Sequence, residues 1–341
     1  MKICLVTDNF HPNAGGQFTS LHQISIQLKK KKIKFIILHK QSKILSNTKK
    51  MNDILSSCNI FHFFGGWTLF YVKISLIALK LKKKIIIHPM GLYEPWSLEQ
   101  KIIKKKIAWH LYQQKLLLKA DLIHCASTNE EKNLLKLNKN FKTIVLPFGI
   151  DDNFIKKNNI KKKINKRALF FSRLHKKKGL VDLIYIWNNL KNKDWILDIV
   201  GDGDDKEELK KIVFKKRFLN INFYDPIYKN KDKIKLFEKY DFFILPTKSE
   251  NFGISILESL SRGLPVLTTD STPWTSIKKY NAGWIINKIQ PELSINLKKI
   301  FRMKSNEFFI KSINSIKLAK KYKWSVIFKE YMKTYNQLLS S

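Results

Sequence analysis

The chain has 341 residues, with 65 Lys plus Arg against 27 Asp plus Glu and three cysteines. At roughly 100 to 200 residues per domain this length suggests about two domains, and 44% apolar with 12% aromatic residues argues for ordinary cores and against a disordered chain. Cys4, Cys58 and Cys125 show no paired spacing, so a disulfide framework and a zinc site lack support and a reducing, cytoplasmic setting fits. The formal charge of +38 invites a nucleic-acid reading, but 60 of the cations are Lys and only five, at 167, 173, 217, 262 and 302, are the Arg that base readout favours. The excess reads instead as a solvated Lys surface of coding-bias type, or as attraction to anionic lipid, with no nucleic-acid partner.

In chain order, an apolar stretch over Ile3–Thr7 predicts a strand at 2–7 and is too short for the roughly 7 to 15 apolar residues of a secretory signal. Strands follow at 33–38 and 60–64. The apolar region Trp67–Leu81 is interrupted by Lys73 and Lys80 and falls short of the roughly 20 residues of a membrane span. After a strand at 84–88, Ser97 with Gln100 has capping-box spacing. It opens a predicted helix to Ala120, with Ile103, Ile107, Leu111 and Leu118 near one face and Lys101, Lys105, Lys115 and Lys119 elsewhere. Thr128 with Glu131 marks a second capping box between strands at 122–127 and 143–147. Asp151–Lys166 is polar, Lys-rich and aperiodic, a linker. A second strand series is predicted at 168–173, 195–200, 221–224, 242–246, 265–269 and 283–286, and a last helix begins near Trp324. Alternating apolar runs and helical patterns indicate βαβ units with parallel sheets. The fold class is α/β, with two doubly wound Rossmann-like domains, 1–150 and 151–323. Ligands are expected beyond the carboxyl ends of strands and in the cleft between the halves.

The segment Tyr240–Thr269 reads as a strand, a loop with Glu250 and Gly253, a helix from about Ile254 to Arg262, a stop at Gly263 and another strand. The helix N-terminus offers free N–H groups to an anion such as phosphate, and Glu258 lies one turn into it. A carboxylate beside an anion site is awkward unless it accepts from hydroxyls, as sugars and ribose provide. Taken singly, Glu250 and Glu258 would be a loop carboxylate and a solvated helix residue. Arg173 and Lys178 follow a strand and precede a helix near Gly179, and two fixed cations there suit a diphosphate; Lys176 and Lys177 read as solvated neighbours. Gly15 and Gly16 follow the first strand, where glycine lets backbone N–H groups approach a phosphate, although a plain turn fits equally. Gly201 and Gly203 form a GxG, but Lys206 breaks the dinucleotide fingerprint. His88 ends a strand, whereas His62 and His124 suit packing and hydrogen bonding.

Glu250 and Glu258, eight apart within SENFGISILESLSRGLPV, strongly resemble the EX7E motif of the retaining glycosyltransferases of family 4, which have the GT-B fold. SRLHKKKG at 172–179, GDGDDKEEL at 201–209, PFGID at 147–151 and GG at 15–16 extend the resemblance over nearly the whole chain. It implies a nucleotide-sugar donor, with Glu250 on the sugar, Glu258 on the ribose, Arg173 and Lys178 on the diphosphate, and Gly201 and Gly203 near the base. Gly15, Gly16, Asn251, Phe252 and Gly253 complete the implied donor set, and the last helix, 324–341, is implied to cross back to the first domain. FHFFGGW at 61–67, the stretch 88–124 and TPWTS at 272–276 resemble a subgroup that builds bacterial surface polysaccharides, such as lipopolysaccharide, capsule or exopolysaccharide. That resemblance implies a glycan or lipid-linked acceptor.

His88 is a candidate for binding acceptor or donor hydroxyls. Phe148 departs from the family's usual Asn, Asp225 from Gly and Ser276 from Glu. Asp204 and Asp205 sit at a helix start rather than in a metal motif, so neither a metal nor another cofactor is expected. A sugar-nucleotide epimerase or phosphorylase of the same fold and a basic, non-enzymatic binder of membrane or nucleic acid are the competing readings. The basic helix after Ser97 has two readings, an anionic-membrane dock or an ordinary core helix with solvated lysines.

Overall fold

A computed structural model describes residues 1–12, 15–156 and 163–340. Asn13, Ala14 and residues 157–162 of the expected linker lie outside the described residues. The chain divides into two compact units, Met1–Phe148 with Ser325–Ser341, and Gly149–Trp324.

In the first unit six parallel strands, β1 (Lys2–Thr7), β2 (Lys34–Leu38), β3 (Ile60–Phe64), β4 (Lys84–His88), β5 (Leu122–Cys125) and β6 (Thr143–Val145), lie in the order β2-β1-β3-β4-β5-β6. Helices cover both faces of such a sheet, so its strands are near-continuous apolar runs; all five residues of β3, IFHFF, are buried. The order reverses between β1 and β3, which places the loops after them side by side at the position where doubly wound sheets bind ligands.

In the second unit β7 (Arg167–Phe171), β8 (Ile196–Val200), β9 (Ile221–Tyr224), β10 (Phe242–Leu245), β11 (Val266–Thr269) and β12 (Gly283–Ile286) form a parallel sheet ordered β12-β11-β10-β7-β8-β9. Its reversal falls between β7 and β10. Trp187 and Trp195, both fully buried, each lie 5.1 Å from the Phe301 ring and anchor the core under helix Glu292–Phe301. The unit closes on itself: the Ile150 N–H donates to the Tyr322 carbonyl at 2.8 Å and the Trp324 N–H to the Ile150 carbonyl at 3.0 Å.

All twelve predicted strands are present, but two helix starts and one helix differ from expectation. Pro95 opens a helix over Pro95–Glu99, as proline suits a first turn, so Ser97 lies inside it and caps nothing. Lys101 then adopts a left-handed φ of 53°, and the expected single helix continues as Ile102–Ala108, a π-helical turn at Trp109–Gln113, and Gln114–Lys119. The wide turn has a cause: it lets Gln113 accept from the Trp67 N–H at 3.1 Å while the Tyr112 hydroxyl donates to the Trp67 carbonyl at 2.6 Å. The face expected to be apolar is exposed, with Ile103 at 73%, Ile107 at 56%, Leu111 at 66% and Leu118 at 44%. Helix Thr128–Leu137 is capped one residue earlier than expected, by Ser127, whose hydroxyl accepts from the Glu130 N–H at 3.1 Å. Glu131 accepts from Thr143 instead, and Glu130 turns inward to accept from the Gly91 and Ala126 N–H groups at 2.7 Å each, fixing the loop after β4.

Candidate active site

In the second unit the loops after β7 and β10 are locked together by one glycine. Gly179 has φ 69°, and a Cβ there would lie 2.1 Å from the Pro246 carbonyl oxygen, so only glycine lets the two loops touch. Beside it the Lys177 carbonyl accepts from the Lys248 N–H at 2.7 Å and the Thr247 hydroxyl at 3.0 Å. This clamp turns Lys178 inward, where its ammonium pairs with the Glu250 carboxylate; the two side chains are only 8% and 13% exposed. Burial would raise the Glu250 carboxyl, but Lys178 and Lys177 outweigh it and hold it below the usual carboxylate range. Lys176 is exposed, as expected.

Gly253, with φ 79° and ψ 64°, starts helix Ile254–Ser261, which has no side-chain cap. Its first N–H groups therefore form an anion-receptive end. Phe252 turns into an aromatic cluster with Trp274 and Tyr322, ring centroids 5.4 and 6.1 Å away, so a ligand contact from it would come from its backbone. Asn251 lies in the loop between Glu250 and this cluster. One turn along, Glu258 is buried and its Oε1 lies 2.6 Å from Lys233 Nζ.

Arg173 is 60% exposed and pairs with Asp204 at 2.9 Å. Asp204 is thus a counter-ion, where a helix-dipole role alone was expected. The loop after β8 presses on that after β7: a Cβ on Gly201 would lie 2.0 Å from the Ser172 carbonyl oxygen and one on Gly203 2.2 Å from that of Leu174. Both glycines have this packing role whatever ligand the loop meets. The reversal between β7 and β10 therefore gathers two cations, two buried carboxylates and an open helix end, a set suited to a polyhydroxylated diphosphate.

In the first unit Gly15, with φ 62°, precedes helix Gly16–Lys30, and a Cβ on Gly15 or Gly16 would meet nothing within 4 Å. That open space is what backbone approach by a ligand needs. His88 does not stand apart from His62 and His124, as expected, but stacks on His124 at 4.1 Å and is fully buried. Its Nδ1 lies 2.6 Å from the His124 carbonyl and so carries the proton, leaving Nε2 a buried acceptor with no hydrogen-bond partner among the described residues. His124 Nε2 must likewise be protonated to meet the Leu146 carbonyl at 2.7 Å, so its Nδ1 accepts from His62 Nε2 at 3.2 Å, and His62 Nδ1 accepts from the Tyr335 hydroxyl at 3.0 Å. This chain fastens helix Trp324–Ser340 to the sheet. Burial keeps all three imidazoles neutral, pushing His124 down to about 4 and His62 and His88 well below the ordinary value.

Among the described residues no group of three or more His, Cys, Asp or Glu side chains is arranged to hold a metal ion, and no helix is long and apolar enough to cross a membrane.

The two parallel-sheet units define the GT-B fold. The crystal structure of Anabaena HepE in complex with UDP and glucose superposes with a TM-score of 0.78 at 16% identity, covering 99% of this chain and 100% of that one. Residues 151–307 match the family Glycosyl transferases group 1, so the second unit is a group 1 glycosyltransferase domain. An uncharacterized glycosyltransferase of Haemophilus influenzae is 29% identical over 153 residues, 43% of this chain and 41% of that protein. The O-antigen biosynthesis glycosyltransferase WclY of Escherichia coli is 28% identical over 245 residues, 65% of each chain. These alignments span less than two thirds of either relative.

Proposed function

We propose that the protein transfers a sugar, with retention of anomeric configuration, from a nucleotide-diphosphate donor to a glycan or lipid-linked acceptor in surface-polysaccharide assembly. The observation that carries this reading is the cluster at the β7–β10 reversal: Lys178 on Glu250, the uncapped helix end at Gly253, and Glu258 one turn beyond. Lys178 and Arg173 are each paired with a carboxylate; a donor diphosphate supplies stronger anionic partners, and the released Glu250 can accept sugar hydroxyls. As the glycosidic bond breaks, charge grows on the leaving diphosphate, where Arg173, Lys178 and the helix N–H groups stabilise it. The leaving oxygen takes the acceptor proton on the same face, and no enzyme nucleophile is required. The family resemblance and the O-antigen role of WclY support the pathway, and the cysteine usage fits a cytoplasmic setting. We place no metal or other cofactor in the reaction.

The exposed apolar residues Ile103, Ile107, Leu111 and Leu118, on the consecutive helical segments between 102 and 119 that also carry Lys105, Lys115 and Lys119 and follow Lys101, favour a peripheral position on an anionic membrane. Proton NMR of fresh product tests the chemistry: an α-linked donor should give an α-linked product. A β-linked product overturns retention, and donor isomerisation without acceptor favours an epimerase.

A further inference from the structure

We propose that Lys233 is a ribose-binding residue of the donor site, and that with Glu258 it forms a donor–acceptor pair that reads ribose hydroxyls; this rests on the donor site of the proposed function, with Glu258 facing the ribose as the family resemblance implies. Lys233 lies on helix Asn230–Phe237, ahead of β10, and Glu258 on the helix after it. Their side chains are 12% and 7% exposed, and Lys233 Nζ also sits 5.4 Å from the ring of Phe171, the last residue of β7. The pair thus stands at the β7–β10 reversal. Among the described residues no further hydrogen bond reaches Oε2 of Glu258 or the remaining protons of Lys233.

Most lysines in this chain can be solvated, but this one is withdrawn from water against a single carboxylate. A buried ion pair contributes little net stability compared with an apolar pair of similar volume, so stability alone does not account for it. Its chemistry does. A hydroxyl both donates and accepts; Glu258 can only accept, and Lys233 can only donate. Together they satisfy both halves of a ribose hydroxyl; when the hydroxyl is missing the ion pair remains, but the second oxygen of Glu258 and the spare protons of Lys233 are left buried without a partner, which is how a polar site rejects a deoxy analogue.

Calorimetric titration would use whichever of UDP, GDP and ADP binds the full chain, together with its 2′-deoxy and 3′-deoxy forms. The wild type should lose about tenfold or more in affinity for at least one deoxy form. Lys233→Met should lose about tenfold for the parent nucleotide and less than about threefold for that deoxy form, collapsing the discrimination. Lys233→Arg should restore most of it. Lys233→Met/Glu258→Gln removes the buried charge altogether, guards against misfolding of the single variant, and should also fail to discriminate. Equal losses for parent and deoxy nucleotides, or unchanged affinity, would show a merely structural tie and overturn the proposal alone. No binding of any of the three nucleotides by the wild type would overturn the donor-site reading and this inference with it.

Discussion

Acidification from pH 7.5 to pH 5 should loosen the first unit through its buried histidines. The His124 imidazole is pushed down to about 4 by burial, against about 6.5 in an unfolded chain. As the pH falls the unfolded state takes the proton first, so stability is fully present above about pH 6.5 and is lost progressively down to about 4. At about 1.4 kcal/mol per pH unit, His124 alone costs about 2 kcal/mol at pH 5. His62 and His88 are shifted in the same direction by the same cause and add to the loss. Glu250, held below the usual carboxylate range, contributes stability that is lost only at more acid pH, outside this window. Hydrogen exchange of helix Trp324–Ser340, fastened through Tyr335 to His62, gives a local readout; its protection should fall by at least about thirtyfold, the share of His124 alone. Glutamine at 124 can still donate and accept, so His124→Gln should show a drop smaller by about 2 kcal/mol. A drop of the same size in His124→Gln, or none in the wild type, would refute the reasoning.

Gly179→Ala should destabilise the second unit by about 1 to 3 kcal/mol or more, because it joins a left-handed backbone to a clash with the Pro246 carbonyl; thermal unfolding with and without nucleotide reads both the stability and the displaced Lys178. Arg173→Ala should cost under about 1 kcal/mol of stability, as an exposed pair does, but ten- to a hundredfold in donor affinity or turnover, while Lys176→Ala changes neither in steady-state kinetics. Ile103→Ser with Ile107→Ser should leave the melting temperature in place, since both residues are exposed, and reduce sedimentation with anionic liposomes; wild-type binding that is equal for neutral and anionic vesicles, or absent from both, would remove the membrane reading.

The strands were legible because burial on both faces demands unbroken apolar runs, and their parallel order followed from the helical patterns between them. The helix after Ser97 was not. Its period is correct, but the demand of the Trp67 backbone for Gln113 and Tyr112 inserts a π turn, and Pro95 overrides the cap signal at Ser97. The carboxylates Glu250 and Glu258 stood out against only 27 acidic residues, whereas their lysine partners had no such contrast. Lys178 is legible as a cation, with Arg173, between a strand and a helix, and through the family resemblance; Lys233, in NKDKIKLF, carries no local signal among 60 lysines, and only the fold brings it to Glu258. His88 stands apart in the sequence as a strand-end residue, because the adjacency of β3, β4 and β5 that stacks His62, His88 and His124 into one cluster is a property of the fold and leaves no local signal.

The most direct measurement is mass spectrometry of glycan and polyprenyl-diphosphate-sugar acceptors after incubation with a panel of nucleotide sugars. One combination should give an acceptor heavier by a single sugar residue, with release of the nucleoside diphosphate, and Glu258→Ala and Arg173→Ala should slow that gain by about ten- to a hundredfold. Turnover by the wild type that both variants match would contradict the site at the β7–β10 reversal, and release of free sugar or an isomerised donor without any acceptor product would contradict transfer itself.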